Sequence, residues 1–304
     1  MSAPLATGDR VAPGYEVIEH LRRGRDLDVY DVWSEERACR CIVKALRPDR
    51  VGREGPTERL LEEGRLLRKA THPHIVRAYD VLEEPVPMVV METLSGETLG
   101  HMIDVREAEL SVAEIAHLGL HLCSAIRYLH AQGVLHLDLK PSNVIAECGR
   151  AKLLDLSVAR PPGPAHAGIG TLYYMAPEQA RGGELGPAAD VWGIGVLLFE
   201  AATGEPAFDD PDAGELDATD RSGEPYWSSY AASSEPYQSE DEATESRFDE
   251  SDYPQLLATA PRIDELRPQS AELADVVAAC LDPDPARRPG MEELMRALEP
   301  LGAG

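Results

Sequence analysis

The chain has 304 residues, 43% of them hydrophobic, which is enough to bury a substantial core in one two-lobed domain or in two small ones. A formal net charge of −25 argues against a surface that binds nucleic acid or an anionic membrane. The five cysteines have neither disulfide-framework nor metal-ligand spacing, and the longest apolar stretch, 191–202, is shorter than the roughly 20 residues of a membrane span. We therefore expect a cytoplasmic protein with free thiols, no membrane segment and no nucleic-acid partner.

Strands are predicted first along the chain, after a flexible N-terminal tail over residues 1–14. Near alternation of apolar and polar residues favours strands over 15–46, and again over 75–84 and 87–94. Between these strands, the spacing of the leucines predicts one amphipathic helix over 57–70.

The chain is mainly helical after Ser95. Residues 111–133 have amphipathic spacing that ends at Gly133, and residues 186–204 have the composition of a buried helix. A small strand-rich part followed by a larger helical part predicts an α+β fold.

Residues 209–253 differ in composition from the rest of the chain. They contain 15 Asp and Glu residues and two Arg residues, a net charge of −13 that is about half that of the whole chain. Ser, Gly and Pro are common and no apolar period is visible, so the segment has too little apolar surface to offset the entropy of ordering. We expect a disordered acidic insertion on the surface.

The polar groups that carry chemistry lie in residues 134–145, "VLHLDLKPSNVI". Asp138, facing a cleft, could accept a hydroxyl proton, and Lys140 could neutralise a phosphate. The side-chain oxygen of Asn143 could bind a hard cation such as Mg²⁺. Taken singly, each of these residues also fits an ordinary polar loop between a helix and a strand.

Taken together, these residues resemble the catalytic loop of protein kinases, and further motifs of that family occur in the expected order. The matching positions are Lys44 in "IVKAL", Glu63 in "EEGRLLRKATHPHIV", Asp155 in "AKLLDLSVAR", Thr171 in "GTLYYMAPEQ", the Ala-Pro-Glu motif at 176–178, Asp190, and Arg288 as the expected ion-pair partner of Glu178. The chain therefore resembles the bacterial Hanks-type serine/threonine kinase domain.

The resemblance implies a bilobal fold, with a strand-rich lobe over 15–93 and a mainly helical lobe over 94–304. It implies ATP and Mg²⁺ as cofactors and phosphoryl transfer to serine or threonine hydroxyls of protein substrates. A lysine two residues after Asp138 is typical of the serine/threonine class.

The resemblance also assigns a role to each candidate site residue. Asp138, Lys140 and Thr171 would be catalytic, and Asn143 and Asp155 would hold Mg²⁺. The nucleotide would be bound by Lys44 with its partner Glu63, by Gly24 in the phosphate-covering loop, and around the adenine ring by Val29, Glu92, Leu94 and Ile145.

The phosphate-covering loop departs from the family pattern. Arg22, Gly24 and Leu27 occupy its three glycine positions, so only the middle glycine remains and the backbone has less freedom to approach phosphate. Ile42 also replaces a small alanine near the adenine position. These departures leave an alternative open, a pseudokinase that acts as a nucleotide-binding or scaffolding module.

A second pair of departures concerns activation. Leu137 replaces the arginine that usually pairs with a phosphorylated activation loop, and residues 158–170 contain no Ser, Thr or Tyr. We therefore expect this loop to be held by packing or by a partner.

The acidic insertion at 209–253 follows the segment "TGEPAF", which in this family precedes a helix on the substrate side of the larger lobe. We expect either a docking segment for a basic partner or an inert, solvated loop.

Overall fold

The computed structural model describes residues 3–53, 55–105, 110–208, 250, 253–266 and 270–303. The chain divides into two compact units. Residues up to Ser95 together with Leu154–Ser157 form the strand-rich unit, and the remainder from Gly96 onward forms the helical unit. The α+β class predicted from the sequence, with a strand-rich part and a mainly helical part, is confirmed.

The strand-rich unit is built on a six-stranded antiparallel sheet in the order β1-β2-β3-β4-β6-β5. Its strands are β1 (Arg10–Ala12), β2 (Tyr15–Arg23), β3 (Leu27–Ser34), β4 (Cys39–Leu46), β5 (Ala78–Leu82) and β6 (Met88–Glu92). Side chains alternate between the two faces of the sheet, and one face buries a core that includes Val17, Tyr30, Val32, Val43 and Val90.

The N-terminal segment differs from the predicted flexible tail. Strand β1 pairs with β2, and its residues Val11 and Ala12 are buried in the core of the sheet. The Gly8 amide also donates a hydrogen bond to the Val17 carbonyl at 2.9 Å. Two buried apolar residues and a few backbone bonds suffice to fix the segment, but they are too few to produce an alternating pattern in the sequence.

Helix α1 (Pro56–Lys69) packs closely on β5 and β6. A Cβ atom at Gly64 would lie 2.6 Å from a methyl carbon of Val89 and 2.8 Å from one of Val81, so the helix approaches the sheet at a distance that only glycine permits. The buried face of the helix contains Leu60 and Leu67, as its leucine spacing predicted, and also Glu63. The close packing therefore brings one carboxylate into the interior of this unit.

The helical unit contains most of the helices of the chain. Its described helices are α2 (Leu99–Val105), α3 (Val112–Ala131), α4 (Pro177–Arg181), α5 (Pro187–Thr203), α6 (Pro254–Leu257), α7 (Ile263–Leu266), α8 (Ala271–Cys280) and α9 (Met291–Leu298). Two small antiparallel sheets accompany them, one of β7 (Glu97–Thr98), β8 (Val144–Glu147) and β9 (Arg150–Leu153), and one of β10 (Gly163–Ala165) and β11 (Gly183–Leu185).

Helix α5 is the buried centre of this unit. All but three of its residues are buried, and it contacts α3 and α8. It ends at Thr203 with Gly204 in the left-handed conformation, which agrees with the helix predicted over 186–204. Among the described residues, no helix combines the length and the apolar character needed to cross a membrane.

The predicted acidic insertion at 209–253 lies largely outside the described residues. Residues 209–249, 251 and 252 are not described, whereas Glu250 accepts a hydrogen bond from the Tyr253 amide at 3.1 Å and pairs with Arg181 at 3.5 Å.

The contact of α5 with α8 gives a test of the fold. A Cβ at Gly195 would lie 2.6 Å from the Cβ of Cys280 and 3.0 Å from a methyl carbon of Leu281. Because the Cys280 Cβ is attached directly to the backbone, Gly195→Ala should lower the free energy of unfolding by about 1–3 kcal/mol through overpacking, measured by urea denaturation.

Gly100→Ala is the matched control for this substitution. Gly100 also lies in a helix, but its added Cβ would meet its nearest neighbour, Pro141, at an ordinary 3.6 Å. We expect this variant to be neutral or to gain up to about 1 kcal/mol from helix propensity. Equal stability of the two variants would contradict the close packing of α5 on α8.

Candidate active site

Lys44 is the centre of a buried ion cluster in the strand-rich unit. It lies on β4 opposite Val29 of β3 and Val89 of β6. Its Nζ atom donates to Oε1 of Glu63 at 2.6 Å and to Oδ2 of Asp155 at 2.7 Å. The structure therefore brings together three of the predicted site residues that are far apart in the sequence.

The electrostatics of this cluster follow from its burial. Burial raises the pKa of Glu63 to about 7, and the nearby Asp155 carboxylate adds to the rise, against the opposing effect of Lys44. For Asp155, burial acts in the same direction, but the charge and hydrogen bond of Lys44 outweigh it and hold its pKa well below the usual range. Burial opposes the charge of Lys44 as well, yet the two carboxylates raise its pKa above the usual value. The cluster thus keeps a charged lysine between two carboxyl groups, one with a raised pKa and one with a lowered pKa.

Backbone amides fix the orientation of both carboxylates. The Ser157 amide donates to Oδ1 of Asp155 at 2.8 Å, while Oδ2 of the same carboxylate faces Lys44. The Leu156 amide reaches Oε1 of Glu63 at 3.5 Å. The segment after Asp155 is therefore tied to α1 as well as to β4.

The turn between β2 and β3, which contains Gly24, is held in place by Arg47. The Arg47 guanidinium, in a residue that is 6% exposed, donates to the Gly24 and Arg25 carbonyls at 2.9 Å each, and the Arg47 amide donates to the Asp26 carbonyl at 2.9 Å. The Gly24 amide donates to Leu27 within the turn at 2.8 Å. Arg47 could not be predicted from the sequence, because a guanidinium that binds backbone carbonyls leaves no pattern of residue types.

A second pair of charges stiffens the same turn. The buried Asp28 carboxylate accepts a bidentate pair of hydrogen bonds from Arg23 at 2.8 Å each, and the His20 ring lies 3.2 Å away. The turn is therefore held by side-chain hydrogen bonds and ion pairs, whereas the family pattern has a glycine-rich turn at this place.

Three of the four predicted adenine residues lie in strands, and Leu94 lies just after one. Val29 lies in β3, Glu92 is the last residue of β6, and Leu94 follows it in the strand-rich unit. The Glu92 amide donates to the Arg77 carbonyl at 3.0 Å. Ile145 lies in β8 of the helical unit.

The predicted catalytic residues come together in the helical unit. The Thr171 hydroxyl donates to Oδ1 of Asp138 at 2.5 Å, and Lys140 Nζ donates to Thr171 Oγ1 at 2.7 Å. Lys140 Nζ is also 3.1 Å from Oδ2 of Asp138. The amide nitrogen of Asn143 donates to the Asp138 carbonyl and to its Oδ2, at 3.0 Å each. Both oxygens of the Asp138 carboxylate are thus oriented by neighbouring side chains.

Asn143 retains a group suited to a hard cation. Its nitrogen is directed to Asp138, and its side-chain oxygen accepts no hydrogen bond within the part of the chain that the structure describes. Amide and carboxylate oxygens are the ligands that Mg²⁺ prefers, and this ion usually takes only one or two of them from protein. The described residues contain no group of three or more His, Cys, Asp or Glu side chains that could hold a metal ion.

A buried carboxylate on α5 holds the backbone of the catalytic loop. Asp190 accepts hydrogen bonds from the His136 and Leu137 amides at 2.9 and 2.8 Å, and the His130 ring lies 2.7 Å away. Leu137 has a φ of 66°, a conformation that residues other than glycine rarely adopt. The predicted ion pair of Arg288 with Glu178 is present, with N–O distances of 2.7 and 2.9 Å.

Two buried glutamines in this unit were not predicted. Gln179 donates to the Leu137 and Ile169 carbonyls, and Gln255 donates to the Leu172 carbonyl at 2.8 Å. The only signal in the sequence is an amide side chain three residues after Ala176, at a position near the start of a short helix.

The ion cluster around Lys44 gives a prediction with a definite sign. Because Asp155 raises the pKa of Glu63 and Lys44 lowers it, Asp155→Asn should move the pKa of Glu63 from about 7 toward the usual range, and Lys44→Met should move it further up. A carboxyl-detected NMR titration with labelled glutamate measures both shifts. Shifts of the same sign in the two variants would contradict the arrangement.

Comparisons with known proteins agree with this geometry. Residues 15–298 match the family model described as the protein kinase domain. The chain is 32% identical over 221 residues to serine/threonine-protein kinase PknB of Mycobacterium tuberculosis. It is 30% identical over 221 residues to a probable serine/threonine-protein kinase of Streptomyces coelicolor. Both alignments cover 68% of this chain but 34% and 32% of the relatives, so the chain spans about a third of the length of the curated relatives it matches.

Solved structures are also similar in fold. The crystal structure of the Mycobacterium tuberculosis PknI kinase domain aligns with a TM-score of 0.67 at 24% identity, covering 98% of this chain and 100% of that chain. The family predicted from the order of the sequence motifs is therefore confirmed. The chain belongs to the protein kinase family.

Proposed function

We propose that this chain is an active kinase domain that transfers a phosphoryl group from Mg-ATP to serine or threonine hydroxyls of protein substrates. The observation that carries the proposal is the geometry of Asp138, whose two carboxylate oxygens face the Thr171 hydroxyl at 2.5 Å and Lys140 at 3.1 Å. A carboxylate oriented in this way is suited to accept or orient the proton of an attacking hydroxyl. The names of the curated relatives support serine and threonine as the acceptors.

Charge neutralisation is assigned to two lysines. Phosphoryl transfer spreads negative charge over the phosphoryl oxygens, so catalysis depends mainly on positioning and on cations. Lys44, oriented by Glu63, is proposed to hold the nucleotide phosphates, and Lys140 is proposed to stabilise the transferred group. Bound Mg-ATP supplies the phosphoryl group, and Asp155 and Asn143 are the proposed Mg²⁺ ligands because both present oxygen atoms.

The remaining nucleotide contacts are proposed from the family pattern. Val29, Glu92, Leu94 and Ile145 are the candidates for the adenine ring. Gly24 lies in the turn proposed to cover the phosphates, and Arg47 holds that turn. Because the Gly24 amide donates to the Leu27 carbonyl, the backbone of this turn offers phosphate fewer free amides than a glycine-rich loop would.

We propose a cytoplasmic location on the basis of thiol chemistry. All five cysteines are free, which is typical of a reducing compartment.

Turnover of Mg-ATP on a generic basic protein tests the proposed activity. The chain should incorporate ³²P into serine and threonine, and Asp138→Asn, which keeps the shape of the side chain, should lower the rate at least about 100-fold because the proton acceptor is lost. Lys44→Met and Asp155→Asn should also reduce incorporation to background. Circular dichroism melts should establish that each variant is folded.

The outcomes separate the two hypotheses from the sequence. Full activity of Asp138→Asn would contradict the assigned site. A folded wild-type chain that binds Mg-ATP but never transfers phosphate would favour the pseudokinase alternative.

We further propose that the acidic insertion attracts basic substrates. Its net charge of −13 at 209–253 is a property of the sequence. Such a charge raises the local concentration of cationic peptides and loses its effect as salt screens it.

This second proposal predicts a salt-dependent KM. At low ionic strength the wild-type chain should have a lower KM for an Arg/Lys-rich peptide, and this advantage should fade as the Debye length falls from about 30 Å at 0.01 M salt to about 8 Å at 0.15 M. Changing the acidic residues of 209–249 to Asn and Gln should remove the salt dependence and leave kcat unchanged. A second variant with a short Gly/Ser linker in place of 209–249 removes the charge and the length together, so the two variants distinguish the effect of charge from that of length. If KM and its salt dependence were unchanged in both variants, the segment would be an inert spacer.

A further inference from the structure

Gln179 connects the catalytic loop to the segment that carries Thr171. Its Nε2 atom donates to the Leu137 carbonyl at 2.9 Å and to the Ile169 carbonyl at 2.8 Å, and its Oε1 accepts from the Ala176 amide at 3.0 Å. The residue is 2% exposed, so no water competes for these bonds. Three positions of the amide group are thereby satisfied by three separate backbone segments.

The two carbonyls, of Leu137 and Ile169, belong to residues that lie one and two positions before Asp138 and Thr171, respectively. These two backbone segments are in close contact, because a Cβ at Gly170 would lie 2.6 Å from the Leu137 carbonyl oxygen. Gln179 therefore fixes the separation of two backbone segments, one carrying Asp138 and the other Thr171, whose side chains meet at 2.5 Å.

Leu137 holds a backbone conformation that is unusual for a residue other than glycine. It is buried with a φ of 66°, and such a conformation persists when the surroundings determine it from several sides. Asp190 binds its amide at 2.8 Å, and Gln179 binds its carbonyl. The side chains of Asp190 and Gln179 thus hold the two peptide groups that flank the Leu137 Cα.

The sequence lacks the usual alternative for ordering this region. No hydroxyl side chain occurs over 158–170, and the aliphatic Leu137 cannot pair with a phosphate. We propose that Gln179 is a positioning residue that keeps Thr171 and Asp138 in contact without phosphorylation of the activation segment. This inference rests on the proposed kinase activity.

Two substitutions in the full chain test the role of the amide. Gln179→Glu keeps the shape and the acceptor for Ala176, but an ionised carboxylate cannot donate to either carbonyl. Gln179→Leu removes donors and acceptor together. We expect kcat to fall at least about 10-fold in both variants, while the KM for Mg-ATP changes less than about twofold, because Lys44, Glu63 and Asp155 are untouched.

The control is a buried polar group elsewhere in the helical unit. The Thr203 hydroxyl, 0% exposed, donates to the Phe199 carbonyl at 2.9 Å and accepts from the Glu205 amide at 3.1 Å. Thr203→Val keeps its shape and loses these bonds. It should lower the melting temperature to a similar degree and leave kcat within about twofold, since it costs stability without touching the catalytic loop.

The pH profile distinguishes positioning from a purely structural role. A protonated glutamic acid regains one O–H donor, and burial raises the pKa of a carboxyl group. The activity of Gln179→Glu relative to wild type should therefore rise at least about threefold from pH 8 to pH 6, whereas that of Gln179→Leu should stay flat. The profile of Gln179→Glu relative to wild type needs no data from Gln179→Leu, so it decides even if Gln179→Leu fails to fold.

The outcomes are distinct. An active wild type with Gln179 variants no more impaired than Thr203→Val, or with a flat relative pH profile for Gln179→Glu, would overturn this inference alone. A folded wild-type chain without any turnover would overturn the proposed function and this inference with it.

Discussion

A fully buried carboxylate is the constraint on which the catalytic loop depends. Asp190, 0% exposed on the central helix α5, must find donors, since an unpaired buried charge costs several kcal/mol or more. The loop supplies two backbone amides, from His136 and Leu137, and the second of these comes with a φ of 66°. Because α5 is itself packed on α3 and α8, the carboxylate cannot relax toward solvent. The position of Asp138, one residue further on, follows from this arrangement.

The strand-rich unit satisfies the same requirement with a buried cation. Lys44 has two carboxylates within 2.7 Å, and each of them is in turn oriented by a backbone amide. Gly64 allows α1 to approach the sheet closely, which brings Glu63 within reach of Lys44. In both units, therefore, buried charges hold predicted site residues in place, and the surrounding helix or sheet packing restricts their movement.

Much of this could be predicted from sequence, because order along the chain identified Lys44, Glu63, Asp138 and Asp155 even though the last follows the first by more than 100 residues. Helix boundaries near Gly133 and Gly204 were also readable from glycine at the ends of apolar periodicity. Other features were missed for one physical reason. Gln179 and Arg47 act on backbone carbonyls, whose positions are set by the fold and not by residue type. Strand β1 was missed because only two of its side chains are buried.

We propose that the site is assembled without phosphorylation of its activation segment. The most direct measurement starts from protein made with a co-expressed phosphatase and verified by intact mass to be free of phosphate. Rapid mixing with Mg-ATP and a serine/threonine peptide should then give phosphopeptide at its full rate from the first time point, while phosphate on Thr171 stays absent. A lag that disappears after preincubation with Mg-ATP, together with phosphate appearing on Thr171, would contradict the account.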